Sequence, residues 1–482
     1  MAGPAARTRL GFGALLVFSL NACMMGPDYQ RPEVTTPPGW DEAVGHTVGA
    51  PQQDAVALES LAWADLLREQ ELIQLVRTAL DNNKDLQIAM QRVEQSRAIY
   101  RIASAGRWPS VDLLQLNERE RESALTNENP EKADELFFGP TVAWEVDLWG
   151  RQRRLSNSGY ANYLAAEYGA QAVRLSLIAE VALAYFELQG ERARLQISHD
   201  TVTARERSLH IAQRRFEGGL TSRLEVTQAQ VDLAATRSAL VRVEQLEALA
   251  QNRLSVLLGQ PPGPHQFEKQ LDELYVPVDV TADLPLRLLD RRPDLMQAEQ
   301  IAIAASEEVG VATASLYPSI FLTASGGTET QDFSDLLNSE GEYWIVNLDI
   351  IMPLFNAGAR RATLTAAEHR YNEARLQWEQ SLLVALHEVA DALVQFRKAG
   401  EALDAEMALE SASEEYLVLA YKRYRNGVLA YIDVLDAQRS LFTAQIAVSR
   451  ARQTRLSTLV NLYKALGGGW DRTQFETTVD TR

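Results

Sequence analysis

The chain has 482 residues, of which 46% are hydrophobic and 23% charged, with a net charge of −18. That balance supports a large buried core, and an acidic chain lacks the concentrated basic face that nucleic-acid binding needs. The one cysteine excludes an intramolecular disulfide, and no apolar run of about 18 or more residues is present, which excludes a membrane-spanning helix.

Residues 1–22 carry Arg7 and Arg9, then an apolar stretch from Leu10 to Leu20. This is the plan of a secretory signal peptide, too short to span as a stable helix. It ends in Leu20-Asn21-Ala22-Cys23, which resembles a bacterial lipobox, whose cysteine is lipidated and becomes the first mature residue. An ordinary signal with a chance cysteine is the alternative. Met24 stands where an aspartate would mark inner-membrane retention, so the outer membrane is expected. Residues 23–60 read as a lipidated linker and belt, Pro-rich near Gln30–Trp40.

Residues 61–262 read as a first structural repeat, with strands at about 108–117 and 141–149. Over Thr141–Trp149, Val142, Trp144, Val146 and Leu148 alternate with Thr141, Ala143, Glu145 and Asp147. That is the period of a strand with one apolar and one polar face. From Arg151 to Phe216 there is no proline, and Val181, Leu188, Leu195, Val202, Leu209 and Phe216 recur every seven residues. Such a seam marks a coiled-coil helix, here about 100 Å long at 1.5 Å per residue. Gly219 marks a tight turn, and the returning helix carries Val226, Leu233, Leu240, Glu247 and Leu254.

After a linker at 263–290, residues 291–469 repeat this order, followed by a tail at 470–482. Strands fall at about 317–326 and 343–353, where Trp344, Val346, Leu348, Ile350 and Met352 alternate, with Asn347 and Asp349 between them. The long-helix seam is Val389, Phe396, Leu403, Glu410, Leu417 and Tyr424; the turn is at Gly427; the return seam is Val434, Leu441, Val448, Arg455 and Leu462. Arg215–Gly259 aligns without a gap on Arg423–Gly467 at an offset of 208, and 12 of those 45 positions are identical, so the chain is a tandem duplication.

Strands of about 10 residues, apolar on one face and with Trp108, Trp149, Tyr317, Tyr343 and Phe355 near their ends, suit a transmembrane β-barrel. A soluble hairpin packed on the helices is the alternative. Four strands cannot close a barrel, whereas three copies give twelve strands, a lumen and a ring of twelve helices. The expected fold is mainly α with a small β part. Its tandem-duplicated long coiled-coil helices form a trimeric α-barrel, and four strands per chain contribute to a twelve-stranded transmembrane β-barrel. Glu145, Asp147, Asn347 and Asp349 are expected to face the lumen and give it an acidic lining.

The six histidines are scattered, with no HExxH spacing, and His199 and His210 read as surface residues of the long helix. No GxSxG, GxxxxGK or GxGxxG motif is present, and Gly467-Gly468-Gly469 follows a helix rather than opening one. The expectation is a passive conduit, not an enzyme, with no catalytic residue, no metal site and no cofactor beyond a covalent lipid on Cys23.

Four segments carry a family resemblance: the lipobox followed by Gly26-Pro27-Asp28-Tyr29 and Arg31-Pro32; Trp144-Glu145-Val146-Asp147-Leu148-Trp149-Gly150-Arg151; Gly427 with Val434-Leu435-Asp436-Ala437-Gln438-Arg439; and Asn461-Leu462-Tyr463-Lys464-Ala465-Leu466-Gly467-Gly468-Gly469-Trp470. Through them the chain resembles the TolC-like outer-membrane efflux channels, in the lipoprotein branch of OprM and NodT type. The resemblance implies a homotrimer, lipid-anchored in the outer membrane and extending into the periplasm. It also implies docking to a periplasmic adaptor protein and an inner-membrane pump, usually of the proton-driven RND class, for efflux of small molecules such as drugs. A type I secretion channel and a periplasmic coiled-coil scaffold lipoprotein are the rival readings. By the same resemblance, the tips Gly219, Leu220, Thr221, Gly427, Val428 and Leu429 meet the adaptor. Asp433 and Asp436 form acidic rings at the pore's inner mouth, and Glu225 with Tyr424 holds the inner helices closed. Leu429 stands where the family often has a basic partner.

Overall fold

The computed structural model describes residues 24–34, 39–40, 56–57, 63–121, 132–275, 280–281, 287–336 and 338–468. The helices are α1 (Trp63–Leu67), α2 (Gln70–Asn82), α3 (Lys84–Ala105), α4 (Arg151–Glu217), α5 (Arg223–Leu257), α6 (Leu288–Arg291), α7 (Pro293–Ala314), α8 (Ala359–Arg425) and α9 (Tyr431–Ala465). The strands are β1 (Val56–Ala57), β2 (Ser110–Arg121), β3 (Lys132–Glu145), β4 (Val280–Thr281), β5 (Ser319–Thr330) and β6 (Glu342–Ile351). The chain divides into a strand-bearing unit (1–33, 91–167, 297–379) and a hairpin unit (34–90, 168–296, 380–482).

The duplication is visible in the element bounds. Helices α4 and α8 have 67 residues each, α5 and α9 have 35 each, and each pair starts and ends at the 208-residue offset. Both long helices end in the same left-handed cap. Gly219 and Gly427 both have φ +71. Gly219 N–H donates to Phe216 O and Leu220 N–H to Arg215 O; Gly427 N–H donates to Tyr424 O and Val428 N–H to Arg423 O. A glycine is the residue that takes this conformation without steric cost, so it is what turns the chain back.

In the hairpin unit part of the seam lies in the core, whereas Phe216, the last seam residue of α4, is 44% exposed. Val181, Leu188 and Leu254 are fully buried and join Leu72, Val76, Leu258, Leu456 and Val460 in one cluster. The charges in the return seams are matched rather than excluded. Glu247 pairs with Arg192 of α4 at 3.3 Å. At the equivalent place in the second hairpin, Gly400 leaves room for Arg455 to lie 3.5 Å from the Phe396 ring centroid. The sequence difference at one seam position is thus compensated on the facing helix, by a cation–π contact in place of an ion pair. Strands β1 and β4 pair in parallel through Val56↔Val280.

The strand-bearing unit holds one antiparallel sheet in the order β2-β3-β5-β6, so β2 and β6 are its edges. One expectation needs correction. Helix α4 contains a stretch long and apolar enough to cross a membrane, contrary to the expectation that no such run is present; half of that stretch is buried inside the fold, as in a core helix.

Candidate functional site

The register places Val111 opposite Val142, Trp144 opposite Leu322, Leu322 opposite Leu348, and Ile320 opposite Ile350, all on one face of the sheet. The other face carries Asp112, Thr141, Thr323, Ser325, Asn347 and Asp349 among its residues. On the apolar face Val111, Leu113, Trp344, Val346, Leu348 and Ile350 are 58–74% exposed. Burying one such side chain is worth about 1.5–3 kcal/mol, so a contiguous exposed set needs an apolar surrounding. Strands of 10–14 residues match the span of a bilayer's hydrocarbon core. Aromatic rings stand at both ends. Trp108, Trp149, Tyr317 and Phe355 lie at the end where β3 and β6 finish, with Trp149 and Tyr317 stacked at 5.0 Å. Phe137, Tyr343 and Trp344 lie toward the other, with Phe137 edge-on to Tyr343 at 5.8 Å.

The strand expected to run to Trp149 ends at Glu145. Asp147 instead accepts the N–H groups of Gln152 (3.1 Å) and Arg153 (2.9 Å). It thereby satisfies donors that the first turn of α4 leaves without helical partners, and the chain must leave the sheet to do so. Glu145 forms a bidentate pair with Arg151, and Asp147 pairs with Arg153. These two carboxylates are 12% and 13% exposed and neutralised by their partners. The expected acidic lining therefore does not include them; Asn347 and Asp349 remain on the polar face.

At the hairpin tips, Leu220 is 72% and Val428 63% exposed. Leu429 turns the other way and packs against the cluster of Tyr424, Tyr431, Val434 and Leu435. An apolar residue at this position thus serves packing. Beside it Tyr424 donates to a Glu225 carboxylate oxygen at 2.8 Å, and Arg215 lies 5.1 Å from the Tyr424 ring centroid. Burial first, and then the bond to Glu225, push the Tyr424 phenol up to about 12. Asp433 accepts the Ala430 N–H at 3.2 Å and so caps α9. Asp436 is exposed and accepts from Tyr416 Oη at 3.3 Å. Burial, then Asp436, and lastly Asp433 raise the Tyr416 pKa. His199 and His210 are exposed. Among the described residues no group of three or more His, Cys, Asp or Glu could hold a metal ion. Cys23 lies outside the described residues.

Sequence reasoning missed one network near the tips. Asp232 of α5, 5% exposed, lies 2.6 Å from Arg205 of α4 and 3.1 Å from Arg439 of α9. Arg205 is itself 6% exposed. Tyr421, Ser208 and Gln438 form a second polar knot between the same hairpins. The available signal is an Arg and an Asp at positions of α4 and α5 that turn inward.

A family model for outer membrane efflux proteins matches residues 75–260 and 284–468, and so covers both repeats. The chain belongs to this family. It is 34% identical over 462 residues to the probable efflux pump outer membrane protein TtgC of Pseudomonas putida, with 95% of each chain covered. It is 32% identical to the cation efflux system protein CusC of Escherichia coli, with 95% of this chain and 98% of the relative covered. Among solved structures it is similar to the open state of the MtrE outer membrane channel of Neisseria gonorrhoeae. There the TM-score is 0.83 at 28% identity, over 93% of this chain and 99% of the other. The efflux protein is therefore an outer-membrane protein, and its exposed apolar sheet face has a lipid surface to meet.

Proposed function

We propose that three copies of this chain form a passive outer-membrane conduit within a tripartite efflux system. The carrying observation is a four-stranded sheet with two open edges and one exposed apolar face. Unpaired edges in lipid are untenable, and only closure removes them. Three copies joined β6 to β2 give twelve strands and an open interior. In this reading the repeats at 61–262 and 291–469 supply the helical ring, with 23–60 and 263–290 forming its belt. A lipid on Cys23 adds an anchor.

The tips Gly219-Leu220-Thr221 and Gly427-Val428-Leu429 meet a periplasmic adaptor through Leu220 and Val428. An RND-type inner-membrane pump supplies the energy. Glu225 and Tyr424 hold the inner mouth closed, and Asp433 with Asp436 set its preference for cations. Small molecules are the cargo class, consistent with relatives named for efflux pumps and for cation efflux. The test is to purify outer membranes and look for a heat-modifiable trimer that conducts ions in planar bilayers. A monomer at all temperatures, without conductance, overturns the reading. Cys23→Ser should abolish incorporation of a labelled fatty acid; retained label removes Cys23 as the attachment point.

A further inference from the structure

The N-terminal segment offers a feature that neither the sheet nor the tips require. In the strand-bearing unit the Arg154 side chain is 2% exposed. Its Nη1 donates to both carboxylate oxygens of Glu307 (3.1 and 3.2 Å), Nε to Met25 O (3.2 Å), and Nη2 to Gly26 O (3.3 Å) and Asp28 Oδ1 (2.9 Å). A guanidinium has five N–H donors, and all five are used. Three of the five acceptors come from residues 25–28.

The fit is steric as well as polar. Gly26 has φ +92, and a Cβ on it would lie 2.6 Å from Gly310 Cα. A Cβ on Gly310 would lie 2.7 Å from Arg154 Nε, and one on Gly150 would lie 2.9 Å from Met24 Cγ. Met25 N–H donates to Trp149 O at 3.0 Å. A second seat lies eight residues back along α7. There Glu299 accepts both Arg31 Nε and Nη2 at 2.6 Å, with Tyr29 Oη at 3.3 Å.

A mere tether between a lipid and a domain needs none of this. If the segment left, Arg154 would lose three of its five acceptors and the contact with residues 25–28 that helps bury it. We propose that residues 24–31 are a clasp. This segment must seat on Arg154 and Glu299 for the strand-bearing unit to reach its final packing, and it does so independently of any lipid on residue 23. A consequence is that the chain leaves the seat at Met24, beside Gly150 and the Trp149–Tyr317 stack.

The test replaces residues 1–23 with a cleavable secretory leader, so that an unlipidated chain begins at Met24. Thermal midpoints are read in detergent. This protein should melt within about 2 °C of the lipidated one. Arg31→Glu lies on the clasp and should lower the midpoint by at least about 4 °C. Adding Glu299→Arg should restore at least half of that loss. A short Gly-Ser spacer between Asp28 and Tyr29 should lower the midpoint as Arg31→Glu does, whereas the same spacer ahead of Met24 should not. Midpoints unmoved by Arg31→Glu and by the internal spacer would overturn the clasp, as would a charge swap that rescues nothing. These readouts require neither conductance nor efflux, so they stand apart from the proposed function.

Discussion

Tyr424 donates its phenolic hydrogen to a Glu225 carboxylate oxygen at 2.8 Å, which ties the last turn of α8 to the first turn of α5. The two residues belong to opposite hairpins, so the bond must break if the hairpins separate. Tyr424→Phe keeps the ring packed and removes only the bond, a loss of about 1.5–3 kcal/mol for a hydrogen bond to a charged group. The variant should conduct more than the parent in planar bilayers at neutral pH. Equal conductance would show that this tie does not restrain opening.

The same bond carries a pH dependence. The phenol is raised from 10.0 to about 12 in the folded state. A raised folded pKa means that its stabilisation is fully present below about pH 10 and is lost as pH rises toward 12. Parent conductance should therefore climb between pH 10 and 12 more steeply than that of Tyr424→Phe. Parallel curves would disconnect Tyr424 from gating.

Asp232 is the hub of the second tie, between Arg205 and Arg439. Asp232→Ala leaves Arg205 buried without its partner and should cost about 3–5 kcal/mol in stability. Asp232→Leu combined with Arg205→Met removes both buried charges and should recover most of that loss. Thermal melts of the single and double variants check this. A double variant no more stable than the single one means that the pair is not the source of the cost.

Asp433 and Asp436 should be tested with a substitution that spares the cap, since Asp433 accepts the Ala430 N–H. Asn keeps a side-chain acceptor for that N–H, which Ala would leave without one. Asp433→Asn with Asp436→Asn should weaken cation preference and reduce block by divalent cations in planar bilayers. Crowded carboxylates favour cations, and a divalent ion bridges them. Unchanged selectivity and block would place the narrowest ring elsewhere.

At the tips, Leu220→Asp with Val428→Asp changes two exposed side chains, so the protein should still reach the outer membrane. It should lose efflux in a pump-dependent resistance assay, because a charge in an apolar contact is costly to desolvate. Full resistance would remove Leu220 and Val428 from the docking surface.

Elements whose causes are local are legible in the sequence. Seven-residue seams such as Val181-Leu188 and Val389-Phe396, and the 208-residue repeat, marked the long helices and their turns at Gly219 and Gly427. Alternation marked the sheet and its apolar face, because a strand's period of two follows from backbone geometry. Where each polar group finds its partner depends on the packed fold. Alternation continues to Trp149, yet the strand stops at Glu145, because Asp147 is needed by the N–H groups of α4. Leu429 resembles a tip residue yet packs, half-buried, against the Tyr424–Val434 cluster, since a turn's exposure depends on what packs beside it. Arg154 meets acceptors 126 to 153 residues away in sequence, and Asp232 meets Arg439 across 207. No periodicity records such pairings. Buried charge is satisfied by whichever chain segments the fold brings within hydrogen-bond reach.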